Sequence, residues 1–235
     1  MFSVKKMAKI TGTLYLIVII CAGFSEGYVR SGLIVSGDAA ATVNNITESE
    51  WLFRLGFVTD LIAFMSDLAV SVLLYLLLRP VSKTLSLLAA SFRLVAHPAI
   101  AAVNMLNHFI ALLLLSGSGY LSAFSGDQLN AMVLLFLNLH DYGYLIGGAF
   151  FSVHLFFLGI LLLKADFFPS VLGILILLAS AGYITESFGD FLFPGNEEIL
   201  SWIVGIPAVL GELSFTLYLL IFGLRDKSKY SMSTV

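Results

Sequence analysis

Arg93, His97, Asn104 and His108 lie within one apolar run, LLAASFRLVAHPAIAAVNMLNH, residues 87–108. An ionisable side chain in such a run is costly unless it faces protein or water. These residues are therefore candidates for ion pairing, proton transfer or ligand binding. On a helix advancing about 100° per residue, with Arg93 at the origin, Ser86, His97, Asn104 and His108 fall within an arc of about 60°. Leu87, Leu94 and Val95 are left for lipid or apolar packing. Pro98 has no N–H to give the Leu94 carbonyl, which frees an acceptor beside the same stripe.

Matching stripes recur along the chain. Asp60, Asp67 and Ser71 align, as do Tyr144, Gly147, Phe151 and His154, with His140 above them. Two further sets are Ala179, Gly182, Glu186 and Asp190, and Ser201, Gly205, Glu212 and Thr216. A last one is Gly12, Tyr15, Ala22 and Glu26. Small residues let membrane helices approach, and polar ones bond across the gap. Gly143 and Gly147 are placed to seat such a contact, within the chain or between chains.

Counting about 1.5 Å of rise per residue sorts the ionisable groups by depth. Arg93, His154, Asp67 and Glu212 come out near mid-bilayer, with His97 a turn above. Glu26, Glu186, Asp60 and Asp190 come out near the non-cytoplasmic mouth, with His140 and Asp141 at or beyond it. Arg93 is expected to meet Asp67, Glu212 or both. Two carboxylates against one guanidinium leave a negative charge to be met by a proton, a cation or a protonated histidine. The outer acids would favour cations or amines. The competing interpretations are an ion pair that only fixes helix order and, for the outer groups, a solvated helix end.

The elements that must position these groups are long apolar segments. A spanning helix needs roughly 20 apolar residues. Six segments qualify, at about 10–29, 55–78, 84–115, 130–163, 170–192 and 199–223. Arg79-Pro80, Ser116 to Gly119, Phe168-Pro169 and Pro194-Gly195-Asn196 separate them. Pro98 and Pro207 are expected to kink or break their helices. The expected fold is all-α: a polytopic transmembrane six-helix bundle forming a single domain, residues 1–235. Lys5, Lys6, Lys9, Arg79, Lys83, Lys164, Arg225, Lys227 and Lys229 fall on one side, and only Arg30 and Arg54 on the other. The positive-inside rule then puts both termini in the cytoplasm. The longest outer loop runs from about Arg30 to Glu50. Asp38 reads as an N-cap within it, and Thr47 with Glu50 as a capping box for the second span. Asn45-Ile46-Thr47 is a glycosylation triplet that matters only in a glycosylating pathway.

Composition agrees with a bilayer environment. Of 235 residues, 59% are hydrophobic and 11% charged, with mean hydropathy +0.99, more apolar than a soluble core can hide. No basic cluster is dense enough for nucleic acid. Cys21 is the one cysteine, so no intrachain disulfide can form. Ile20 stands where a lipoprotein cleavage site wants a small residue, so Cys21 reads as a helix contact.

Motifs exclude more than they assign. There is no HExxH, GxSxG, phosphate-binding glycine loop or CxxC pair. The residues call for no cofactor and no resident metal. A membrane-embedded metal hydrolase would have to bring His97 and His154 together from different spans. The halves 1–117 and 118–235 show no convincing repeat, which weakens a transporter built on inverted repeats.

The stretches GDAA (37–40), FRLGF (53–57), LLYLLLRPV (73–81), LLAASFRL (87–94), HDYGYLIGG (140–148) and GELSFTL (211–217) resemble a family of small bacterial integral membrane proteins, domain of unknown function 4386. The resemblance extends from about residue 8 to 224. It implies a multi-pass protein of the bacterial cytoplasmic membrane with no established activity, and it carries no catalytic or binding residue. The expected partners are the lipid bilayer and a small ligand, lipid or cation held in a polar intramembrane pocket. The candidate ligand-binding residues are Arg93, Asp67, Glu212, His97, His154, Glu186, Asp60, Glu26 and His140. The alternatives are the hydrolase and a structural or partner-binding subunit. Oligomeric state is left open.

Overall fold

The computed structural model describes residues 3–224. Arg225, Lys227 and Lys229, counted above among the basic flanks, lie outside the described residues. Among the described residues, six helices are long and apolar enough to cross a membrane: Val4–Leu33, Glu50–Leu78, Lys83–Leu114, Gly126–Lys164, Ser170–Leu192 and Glu197–Ile221. No strand occurs among the described residues. Large apolar side chains face outward on these helices. Met65, Val103 and Trp202 are 75%, 67% and 65% exposed, which is intelligible only if their solvent is lipid. The chain is a multi-pass membrane protein.

The helix ends follow the punctuation in the sequence. The second helix stops at Leu78, before Arg79-Pro80, and the fifth starts at Ser170, after Pro169. Gly117 and Gly195 turn the chain at φ +67° and +91°, a region that costs a residue without a Cβ little. Asp38 caps the short helix Ala39–Glu48 by accepting from the Ala41 N–H.

Two expectations are corrected. The first helix continues to Leu33, so Arg30 is helical and not a loop residue. The capping box at Thr47 and Glu50 does not form. Thr47 Oγ1 instead donates to the Val43 carbonyl at 2.7 Å, the back-bond open to a threonine already inside a helix. Only Ser49 separates that helix from Glu50–Leu78, and the Phe53 N–H donates to its carbonyl at 3.1 Å.

Three stretches are wound as π-helix: Ser25–Arg30, Val95–Ala101 and Val209–Leu213. Pro98 lies in the second, and Pro207 precedes the third by two residues. The prolines widen their helices instead of breaking them. One extra residue in a turn rotates everything beyond it by roughly 100° relative to an unbroken helix. In the sixth helix, Leu200, Val204 and Ala208 are buried before the π segment, and Gly211, Phe215 and Leu219 from within it onward. Ser201 is exposed, and a Cβ on Gly205 would meet nothing within 4 Å. Ser201 and Gly205 therefore do not share a buried face with Glu212 and Thr216.

The chain divides into two compact units whose boundaries fall inside the first four long helices. One holds the chain through Leu16, Ala69–Arg93 and everything from Ala149. Within it, small residues seat close crossings. A Cβ at Gly211 would lie 2.8 Å from the Leu175 carbonyl oxygen, and one at Gly182 3.0 Å from Val204 Cα. Backbone cannot swing aside as a side chain can, so Gly211→Ala is expected to cost about 1–3 kcal/mol through overpacking. Gly205→Ala, with open space around it, is expected to stay within about 0.5 kcal/mol of the parent. Thermal unfolding of both variants in mild detergent checks the contrast, and equal midpoints would remove the assigned crossing.

The other unit holds Ile17–Leu68 and Leu94–Gly148. One of its apolar clusters contains Val29, Leu33, Ile46, Phe53, Leu112 and Leu137. A second is built from Ala63, Phe64, Ala101 and Met105, with Cys21 packed against it. Cys21 is thus an apolar helix contact. Gly143 and Gly147 make close approaches inside this unit. A Cβ on Gly143 would collide with the Asn104 amide, and one on Gly147 would sit 3.4 Å from the Ala96 carbonyl.

Candidate functional site

The densest polar cluster in the second unit forms around Arg30. Its π segment turns Ser25, Val29 and Arg30 inward, and Arg30 is 2% exposed. Arg30 Nη1 donates to Asp60 Oδ2 at 2.6 Å and to Ser25 Oγ at 2.8 Å. Arg30 Nε donates to Glu26 Oε2 at 2.7 Å, one helical turn away. Ser25 Oγ passes its own proton to the Gly56 carbonyl at 3.0 Å. The Arg30 guanidinium carbon also lies 5.3 Å from the centre of the Tyr144 ring. Asp60 is fully buried, whereas the Glu26 side chain is 59% exposed. Arg30 therefore links a surface carboxylate to a buried one.

Two histidines complete the cluster. His108 Nε2 bonds the Phe53 carbonyl at 3.3 Å, and His140 Nδ1 bonds the Asn104 carbonyl at 3.2 Å. A carbonyl can only accept, so each of these ring nitrogens carries the proton. The other nitrogens, His108 Nδ1 and His140 Nε2, then present lone pairs when the rings are neutral. Both are buried and have no hydrogen-bond partner, and the same holds for Asp60 Oδ1. Asp60, His108 and His140 each bring one potential ligand atom within 4.8 Å of the others. Asn104 locks the third helix to the fourth here, because its Nδ2 donates to the His140 carbonyl at 2.7 Å. The arrangement presents buried acceptors that no donor satisfies. It suits a species that brings positive charge or protons.

The first unit holds a different cluster around Arg93, which is fully buried. Arg93 Nη1 donates to His154 Nε2 at 3.0 Å, and His154 Nδ1 donates to the Ala89 carbonyl at 2.8 Å. The Arg93 guanidinium carbon lies 4.2 Å from the Tyr15 ring centre and 5.2 Å from that of Phe151. Tyr15 Oη donates to Glu212 Oε2 at 2.7 Å, and Tyr183 Oη donates to Glu212 Oε1 at 3.0 Å. Arg93 and Glu212 thus share Tyr15. Asp67 belongs to the second unit, where it meets His97 Nδ1 at 3.0 Å. Glu186 is half-buried on the fifth helix.

Eight of the nine sequence-derived candidates, all but Glu186, therefore sort into three sets. Glu26, Asp60 and His140 fall in the Arg30 cluster, Arg93, His154 and Glu212 in the Tyr15 cluster, and Asp67 pairs with His97. His140 is fully buried and not a solvated helix end, while its neighbour Asp141 is exposed. His154 has both ring nitrogens engaged, so it could bind a metal only by giving up Arg93. Among the described residues, no metal-compatible group contains His97 or His154. Sequence reasoning missed Arg30 as a buried cation and gave His108 no site role. The Glu26–Arg30 spacing, one turn on a helix, was the available signal for the first. Position on the polar stripe was the signal for the second.

Comparison with known proteins adds family membership and no chemistry. An uncharacterised protein from Archaeoglobus fulgidus is 35% identical over 157 residues, covering 67% of this chain and 76% of that protein. No solved structure matches the chain. The family model described as Domain of unknown function (DUF4386) matches residues 10–223, and the chain belongs to that family.

Proposed function

We propose that this protein binds a small cation inside its membrane-crossing segments, at Asp60, His108 and His140. The observation that carries this is the convergence of three buried residues, each of which also holds a buried side-chain atom with no hydrogen-bond partner. Acceptors left facing one another in a medium of low dielectric cost free energy, and a cation between them reverses the sign. An anionic headgroup would find one cationic side chain there, Arg30, whose guanidinium is already committed to Asp60, Ser25 and Glu26. The Arg93 cluster, whose groups satisfy one another, serves as packing that fixes helix positions.

The basic flanks orient the chain with both termini in the cytoplasm of a bacterial cell, within its cytoplasmic membrane. Glu26, exposed at the far end of the first helix, then faces the outside, and the cation arrives from there. Oligomeric state plays no part in this assignment.

Thermal unfolding of the purified chain against a panel of chloride salts at fixed ionic strength provides the test. The panel contains sodium, potassium, ammonium, magnesium, calcium and zinc. At least one cation is expected to raise the midpoint of the parent, because a ligand that binds only the folded state stabilises it by mass action. Asp60→Asn is expected to abolish that rise. If no cation moves the parent protein, cation binding is excluded.

A further inference from the structure

We infer that the cation is a divalent transition-metal ion, with zinc the simplest match, held by Asp60 Oδ1, His108 Nδ1 and His140 Nε2. This inference rests on the cation-binding proposal above and names the ion. The donor set decides the class. Two imidazole nitrogens and one carboxylate oxygen suit zinc and its neighbours in the first transition row. Magnesium and calcium prefer shells made of oxygen.

Geometry permits the ion. Three points no more than 4.8 Å apart fit inside a circle of radius 4.8/√3, about 2.8 Å. An ion at its centre needs each ligand to close by roughly 0.6–0.8 Å to reach zinc bond lengths of about 2.0–2.2 Å.

The surroundings are those that orient metal ligands. A ligating histidine usually donates its other N–H to a carbonyl or carboxylate, which fixes the tautomer and aims the free lone pair. His108 and His140 both do this, toward Phe53 and Asn104. Asp60 has its second oxygen held by Arg30 at 2.6 Å, and its first is buried with no hydrogen-bond partner. The ligands come from the second, third and fourth long helices. Three protein ligands leave a further coordination position for water or a small donor.

The cluster is distinct from the pair of histidines that sequence reasoning offered for a metal. That difference supplies an internal control. The full-length protein, purified in mild detergent and stripped with a chelator, is titrated with zinc by calorimetry and with cobalt(II) by visible absorption. One ion per chain is expected, with a cobalt spectrum typical of four- or five-coordinate nitrogen and oxygen ligation. His108→Gln and His140→Gln are expected to abolish stoichiometric binding, and His97→Gln to retain it. Asp60→Asn is expected to abolish stoichiometric zinc as well, and the circular dichroism spectrum of each variant separates loss of the ion from loss of the fold.

Failure of the parent to bind zinc or cobalt at one per chain overturns the metal assignment. If sodium, potassium or ammonium still stabilises the parent, cation binding survives that result. If no cation does, both proposals fall together. Stoichiometric zinc that persists in both histidine variants would place the ion elsewhere and also overturn the assignment.

Discussion

Arg93→Met is expected to lower the unfolding free energy by about 3–5 kcal/mol, the cost of breaking a buried charge network by removing one partner. Arg93 is fully buried and donates to His154. It also lies against the face of Tyr15, whose hydroxyl donates to Glu212. Methionine fills much of the same volume, so packing loss is a minor part of the effect. What remains is Glu212 with two phenols and no guanidinium beside Tyr15. Arg93→Met combined with Glu212→Gln should therefore be much less harmful than the sum of the two single changes. Arg93→Lys should fall between, because an ammonium keeps the charge but not the flat face that stacks on Tyr15 and Phe151. Denaturant unfolding in detergent measures all four proteins. A loss under about 1 kcal/mol for Arg93→Met, or strict additivity in the pair, would show that this cluster carries no special burden.

The sequence made one half of this network legible and left the other half dark, for a physical reason. That Arg93 faces protein follows from the cost of charge in hydrocarbon and the shared arc with Ser86. Both are buried. The same logic anticipated six long helices, because apolar runs of sufficient length have no other stable home. Which stripe meets which is a matter of register between helices, and register is altered by the three π segments. Ser201 and Gly205 were assigned to the face of Glu212 by assuming an unbroken helix, and the π turn at Val209–Leu213 separates them. Arg30 was assigned to a loop because its apolar run fades before it. The π winding of Ser25–Arg30 is what turns it inward to Asp60. The convergence of the metal-compatible trio was hidden for a related reason. Asp60 and His140 stood among the candidates and His108 on the polar stripe, but the three come from three helices with no shared spacing.

Arg30 is where stability and ion binding are expected to collide. Without added metal, Arg30→Met should cost about 3–5 kcal/mol, since it strands the buried Asp60 carboxylate. The Glu26 contact contributes little to this figure, because Glu26 is more than half exposed and water screens it. A zinc ion bound at Asp60 would take over the neutralising role that Arg30 had. It would also bind without a guanidinium 2.6 Å from the other carboxylate oxygen. Zinc should therefore bind the variant more tightly than it binds the parent and return more stability to it. Saturation at about a hundred times the dissociation constant is worth about 2.7 kcal/mol, so at equal free zinc the variant's larger gain is readable as a larger midpoint shift. Arg30→Met combined with Asp60→Asn should lose the zinc response and recover part of the stability, because the stranded charge is gone. Unfolding with a chelator and with buffered zinc separates these outcomes. No loss on Arg30→Met under chelation would mean that Asp60 holds no charge needing a partner. A loss that zinc repairs no better in the variant than in the parent would mean that the ion and Arg30 do not share that carboxylate.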